Sequence, residues 1–177
     1  MDYKRDESTT YNISNKFLTN TNSFDVSSPL DDNFKLLNEE YLEKFLNVIK
    51  REELEDGFLS NSELLYTEIA KKYGFVLATN FINSIHKIGL QNNDLKITLS
   101  ILKIISNIKN EIEIDNFSII TLSLFSHKNI EIIDGAISCF EKWGRKSDAE
   151  LLKNFNVPDV PWLKEYFDKT ISYLEGL

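Results

Sequence analysis

The residues of this chain that could bind a metal or perform catalysis are few and far apart. There are two histidines, His86 and His127, and one cysteine, Cys139. A metal site on a helix needs His or acidic partners three or four residues away on the same face. His86 has only amide and apolar residues there, and a predicted turn separates His127 from Glu131. We therefore expect no metal and no cofactor, and we expect both histidines to be ordinary surface or helix-end residues.

Nucleophilic catalysis is equally poorly supported. A reactive thiolate needs an electropositive and accessible setting, whereas Cys139 precedes the apolar Phe140 and lies close to Asp134 and Glu141. None of the glycine-rich phosphate loops or nucleophile-elbow motifs occurs among the six glycines. The sequence thus predicts a packed, unreactive cysteine in a protein that is not an enzyme.

A polar stripe is the strongest candidate for a binding surface. Two predicted helices, 34 positions apart, carry an acidic residue, a serine and a second acidic residue at i, i+4 and i+7. These residues are Asp134, Ser138 and Glu141 on the first helix and Asp168, Ser172 and Glu175 on the second. If both stripes line one concave side, four carboxylates share a groove and bind a partner. The alternative is a plain solvated helix face.

The charge balance indicates the class of partner. Net charge is −8, and only three residues are arginine. Such a chain repels phosphate backbones and anionic membranes unless its cations cluster, so we expect a basic protein partner. No run of about 18 apolar residues could span a membrane, and the polar start lacks a signal-peptide core. We expect a cytoplasmic protein.

The chain divides into two parts. Residues 1–30 are rich in Ser, Thr, Asn and Asp, which predicts a flexible N-terminal arm. Residues 31–177 show helical periodicity throughout and predict one all-α domain of eight helices. The first of these helices is expected over residues 38–52.

Polar residues and glycines indicate where the helices begin and end. Expected N-caps are Ser62, Asn93 and Asp115, and Ser147 with Glu150 has the spacing of a capping box. Expected helix stops are glycines, at positions 74, 89 and 144. Pro161 suits the first turn of the last helix.

The helix over residues 130–144 has a small pair, Gly135 and Ala136, at its centre, where glycine costs about 1 kcal/mol against alanine. The pattern apolar, small, apolar, apolar recurs on three helices at intervals of 36 and 34 residues. Its members are Ile97, Ser100, Ile101 and Ile104; Ile133, Ala136, Ile137 and Phe140; and Phe167, Thr170, Ile171 and Leu174. Helix pairs repeating at such intervals indicate an α-solenoid whose second helices approach closely.

Over residues 115–176 this pattern resembles the HEAT/armadillo-like family. The resemblance implies a right-handed stack of about four antiparallel helix hairpins, an α-α superhelix, although the usual first-helix proline is absent. Some HEAT-like proteins are DNA glycosylases, and Trp143, Trp162 and Asp159 could be assigned their aromatic and acidic roles. The negative net charge disfavours that alternative.

The sequence as a whole favours a non-enzymatic protein-binding module. A small acidic chain could neutralise a basic toxin or nuclease, as immunity proteins and antitoxins do. A regulatory adaptor or scaffold is the alternative within the same class.

Overall fold

The computed structural model describes residues 29–55 and 57–177. Within these ranges the chain forms eight α-helices, one short 3-10 helix and no strand. The helices are α1 (Pro29–Arg51), α2 (Asn61–Tyr73), α3 (Phe75–Gln91), α4 (Leu95–Ser106), α5 (Glu111–Ser123), α6 (Ile130–Trp143), α7 (Lys146–Leu152) and α8 (Pro161–Glu175). The 3-10 helix, Leu124–Ser126, follows α5 directly. The predicted all-α class is confirmed, and none of these helices is long and apolar enough to cross a membrane.

Helix α1 begins earlier than the sequence pattern suggested. It starts at Pro29, with Asp31 and Asp32 in the first turn, where carboxylates suit the helix dipole. The additional turns include Leu37, which is fully buried. Pro29 and Leu30 of the predicted arm belong to this helix, and residues 1–28 lie outside the described residues.

Helix α4 lies at the centre of the fold. It contacts α1, α2, α3, α5 and α6. Most of its circumference is buried, including the apolar side chains of Ile97, Ile101, Leu102, Ile104 and Ile105. The prediction of a central, largely buried helix is confirmed.

Helices α4 and α6 pack closely, and this contact explains the glycine at the centre of α6. A Cβ atom at Gly135 would lie only 3.0 Å from Cδ1 of Leu102. Farther along, the Cys139 thiol donates to the Leu102 carbonyl (3.5 Å), and the Trp143 indole N–H donates to the Ile105 carbonyl (3.0 Å). Because higher numbers on one helix meet higher numbers on the other, the two helices run parallel.

Two capping predictions near serines are wrong. Helix α2 is capped by Ser60 and not by Ser62, because the capping box forms between Ser60 and Glu63. The expected box at Ser147 does not form, because α7 begins after Arg145, whose side chain does not cap the helix. The capping-box spacing therefore corresponds to a real box at Ser60 and Glu63, which the choice of Ser62 overlooked, and to an absent box at Ser147.

The other two expected caps are displaced. The side chain of Asp94, and not that of Asn93, accepts from the backbone of α4, while Asn93 itself adopts a positive φ of 51°. Helix α5 is capped by Asn110, a full turn before the expected Asp115. In both cases an earlier or later Asn or Asp side chain performs the capping.

The three glycines expected to end helices behave differently. Gly74 and Gly144 follow the last residues of α2 and α6, as predicted. Gly89 does not end α3, which continues to Gln91. A Cβ atom at Gly89 would lie 2.8 Å from Cγ2 of Ile97, so this glycine permits close approach of α3 to α4.

Candidate protein-binding surface

The predicted stripe on α6 lies on the side of the helix opposite its buried residues. Asp134 and Ser138 are half-buried, and Glu141 is exposed. Leu102 of α4 lies against Gly135 on one flank of this stripe, and Tyr166 of α8 bonds Glu141 on the other. The stripe therefore forms the outer surface of α6 between two neighbouring helices.

The hydroxyl of Tyr166, on α8, interacts with all three residues of the α6 stripe. It donates to Oε2 of Glu141 at 2.6 Å. The pKa of the Tyr166 phenol is raised, first by burial and then by the hydrogen bond and charge of Glu141, with Ser138 and Asp134 also acting on it. The phenol is thus a neutral donor beside two carboxylates. Sequence reasoning missed Tyr166, because it flanks the apolar face of α8 and is outside the superposed pattern.

The predicted stripe on α8 does not share this surface. Tyr166 and Glu175 are nine residues apart, which places them about half a turn from each other around the helix. Glu175 instead pairs with Nζ of Lys153 at 2.5 Å, beyond the end of α7. Asp168 and Ser172 are exposed, and the Ser172 hydroxyl donates to the Asp168 carbonyl at 2.9 Å. Because only Asp134 and Glu141 are brought together, the expected groove with four carboxylates is not formed.

Two exposed aromatic side chains extend the α6 stripe onto α8. Trp162 is 50% exposed and Tyr173 is 49% exposed. They stand four residues before and seven residues after Tyr166, so all three lie on one side of α8. Aromatic faces beside carboxylates attract guanidinium and ammonium groups through cation–π contacts and charge-assisted hydrogen bonds. We call Asp134, Ser138, Glu141, Trp162, Tyr166 and Tyr173 together the α6–α8 face.

His86 contradicts the expectation that both histidines are surface or helix-end residues. It is buried within α3, and neither ring nitrogen has a hydrogen-bond partner among the described residues. Burial lowers its pKa from 6.5 to about 4, so the ring is neutral at physiological pH. His127 does lie at a helix end, where it follows the 3-10 helix and its Nδ1 accepts from the Asn129 amide at 3.0 Å.

Cys139 is packed, as predicted. It is fully buried between α6 and α4, and burial raises the pKa of its thiol. A thiol in that environment does not ionise near neutral pH, so it does not supply a nucleophile. Within the described residues, no three His, Cys, Asp or Glu side chains are grouped so that they could hold a metal ion.

One of the three residues assigned to a glycosylase role is unavailable to a nucleic acid. Trp143 is buried, and its indole N–H bonds the Ile105 carbonyl, so it cannot stack on an extruded base. Trp162 and Asp159 are both exposed. Of the two tryptophans in that assignment, only Trp162 is exposed enough to contact a base.

Comparison of the chain with family models, with curated proteins and with solved structures finds no match. The HEAT/armadillo-like resemblance rests on the residue pattern alone, and function has to be argued from the surface of this molecule.

Proposed function

We propose that this chain is a non-enzymatic module that binds a basic segment of a protein partner on its α6–α8 face. The observation that carries the proposal is the arrangement of Asp134 and Glu141 around the half-buried Tyr166 phenol. The hydrogen bond holds the Glu141 carboxylate in place, the Asp134 charge acts on the same phenol, and the exposed Trp162 lies one turn before Tyr166 on α8. An arginine side chain could pair with a carboxylate and stack on the ring at the same time.

The net charge supports the same class of partner. A chain of net charge −8 attracts a basic protein over a distance and accelerates its association. The exposed aromatic rings then supply the apolar contacts that charge alone does not provide. Neutralisation of a basic toxin or nuclease, as by immunity proteins and antitoxins, is the role that best fits a small acidic binding module. A regulatory adaptor or scaffold would use the same face.

We also propose that the helices form a right-handed HEAT/armadillo-like stack of hairpins. The parallel packing of α4 and α6 supports it, because second helices of successive repeats run in the same direction. Helix α8 follows the same rule, since Tyr166 meets Glu141 and Tyr173 lies close to Gly144. In such a stack α4, α6 and α8 form one continuous layer.

Two double variants with the same change in net charge test the binding face. Asp134→Lys with Glu141→Lys alters the α6 stripe, and Asp168→Lys with Glu175→Lys alters the far side of α8. The probe is a short, fluorescently labelled arginine-rich peptide, with affinity measured by anisotropy at two salt concentrations. We expect the α6 variant to weaken binding roughly tenfold or more, and the α8 variant to weaken it roughly threefold or less.

Equal weakening by both variants would show that only net charge matters and would contradict the assigned face. Failure of the unmodified chain to bind the peptide at low salt would contradict the proposal as a whole. Binding of single-stranded DNA in place of the peptide would favour the nucleic-acid repair alternative. Circular dichroism of each variant checks that the helical content is unchanged.

A further inference from the structure

A second surface feature lies between α3 and α5, away from the α6–α8 face. It is a cleft of about 210 Å³. Its lining residues are Val76, Thr79, Asn80 and Asn83 of α3 and Asn116 of α5. None of these side chains is charged, although 27% of the residues in this chain are Asp, Glu, Lys or Arg. We call this feature the α3–α5 cleft.

Exposed apolar side chains border the cleft. Ile112 and Ile119 are 74% and 73% exposed. They stand one turn before and one turn after Asn116, so they share its side of α5. Val76, at the other wall, is 67% exposed. A border of this kind indicates a surface that another polypeptide covers.

The cleft also holds an unsatisfied acceptor. Oδ1 of Asn83 is buried and has no hydrogen-bond partner in the part of the chain that the structure describes. Buried amide oxygens are nearly always bonded, so a water molecule or a donor from another segment satisfies this atom. An extended peptide supplies such a donor, because its backbone N–H groups and its apolar side chains alternate along the chain.

We propose that residues 8–18 of this same chain occupy the α3–α5 cleft. The segment reads STTYNISNKFL and carries a single charge, on Lys16. Its apolar residues, Tyr11, Ile13, Phe17 and Leu18, match the isoleucine border, and its amide and hydroxyl groups match the asparagine lining. This inference does not depend on the proposed function, because the two surfaces share no residue.

The segment is long enough to reach the cleft. The chain enters the described structure at Pro29, and Glu40 lies about 17 Å farther along α1. Glu40 accepts from the Tyr73 hydroxyl at 2.6 Å, and Val76 is only three residues beyond Tyr73. Together these steps amount to at most about 40 Å, which about 12 extended residues can span. Residues up to Phe17 therefore reach the near end of the cleft.

Charge and tethering favour this occupant over a separate molecule. A second copy would bring another net charge of −8 to the same place and be repelled. A basic partner gains no ion pair from an uncharged cleft. The chain's own segment avoids repulsion, and its covalent link supplies an effective concentration of about millimolar.

Cysteine cross-linking in the full chain tests this inference. The native Cys139 is fully buried and does not compete for reagent. Phe17→Cys is combined either with Asn116→Cys in the cleft or with Lys169→Cys, a matched control at an exposed position on α8. After treatment with a short bismaleimide, we expect the Asn116 pair to form an intramolecular link roughly fivefold faster or more, at a rate independent of protein concentration.

Equal rates for the two pairs would overturn the proposal, because they would show that the segment has no preferred location. Links that form only between chains, at a rate that rises with concentration, would assign the cleft to a second copy and would overturn it as well.

Hydrogen exchange supplies a second measurement that needs no cross-linker. In the full chain, Phe17→Asp with Leu18→Asp should expose the cleft and make the amides of residues 112–120 exchange roughly threefold faster or more. Phe58→Asp with Leu59→Asp is the matched control, because it makes the same two changes at positions that are 70% and 65% exposed, just before α2. Unchanged exchange in the double variant would contradict docking.

Discussion

Helices α5 and α6 are consecutive and nearly equal in length, yet the rest of the molecule covers them very differently. Helix α6 packs against α4, α5, α8 and the 3-10 helix, and its apolar residues are buried except at its first position, Ile130. Helix α5 buries Ile114 and Phe117 on one side but leaves Ile112 and Ile119 about three-quarters exposed on the other.

The difference shows that apolar content and coverage are separate properties. Helix α6 places its apolar residues on one broad face and its polar stripe on the other, so a single layer of neighbouring helices buries its apolar face. Helix α5 has apolar residues around its whole circumference, so one layer of neighbours leaves a face uncovered. The polar stripe of α6 suits a charged partner, whereas the outer face of α5 suits a neutral, apolar segment.

The largest expected effect comes from truncating one apolar residue of each helix and comparing the losses in the free energy of unfolding. Phe140 of α6 is fully buried and stacks against Phe125 at a centroid distance of 6.0 Å. Phe140→Ala should lower the free energy of unfolding by about 3–5 kcal/mol, because it leaves a cavity. Ile119→Ala should lower it by less than about 1 kcal/mol. Urea unfolding monitored by circular dichroism measures both, and similar losses would contradict the described coverage.

The next largest expected effect is a pH dependence of stability caused by His86, which is buried on the inner side of α3. Its pKa is about 4 in the folded chain and 6.5 when exposed, so only the unfolded state gains a proton between these values. Stability is therefore lost as pH falls from about 6.5 to about 4, by at most about 3 kcal/mol. Above pH 6.5 the ring is neutral in both states and contributes no pH dependence.

The His86→Leu variant isolates this effect, because it keeps the site filled and removes the titrating ring. The difference between the unfolding free energies of the two proteins should change with pH over that interval. Ser100→Ala is the control, because it changes a buried polar side chain that does not titrate, and its difference from the parent should be constant with pH. A constant difference for His86→Leu would show that the ring is solvated or bonded.

Gly89 and Gly135 allow a comparison of two single contacts, because each lies against a side chain of α4. At Gly89 an added Cβ would meet Cγ2 of Ile97 at 2.8 Å, and a β-branched side chain has little freedom to move. Gly89→Ala should therefore destabilise the protein by about 1–3 kcal/mol. At Gly135 the nearest atom is the far end of Leu102, 3.0 Å away. There the gain in helix propensity should offset the crowding, leaving a change of less than about 1 kcal/mol.

A larger loss of stability for Gly135→Ala than for Gly89→Ala in thermal and urea unfolding would contradict this assignment. The sequence predicted different roles for these two glycines. Gly135 was expected to permit close packing of helices and Gly89 to end a helix, yet both lie inside helices against α4.

Much of the fold could be predicted from periodicity, because apolar spacing reports burial directly. The central position of α4 and the close contact at Gly135 both follow from it. The binding face could be predicted only in part. Asp134 and Glu141 are recognisable as a stripe, but the packing of α8 decides that Tyr166 faces them and that Glu175 faces Lys153. Superposing the sequence patterns of the two helices does not show how α8 is rotated about its own axis relative to α6.

Helix starts were predicted less well for a related reason. Ser, Asn and Asp are frequent in this chain, so several neighbouring residues could accept from the same backbone amides. Tertiary contacts select among them. Ser60 is selected because it is buried and Glu63 completes the capping box, whereas Ser147 remains exposed.

The smallest expected effect tests that selection, with two serines that have the same sequence signature. In Ser60→Ala the hydroxyl that accepts from the Glu63 amide and bonds its carboxylate is lost. The free energy of unfolding should fall by about 1 kcal/mol. Ser147→Ala removes an exposed hydroxyl that caps no helix, and the change should be within about 0.5 kcal/mol. A larger loss at Ser147 than at Ser60 would show that the sequence signature, and not burial, determines which serine caps a helix.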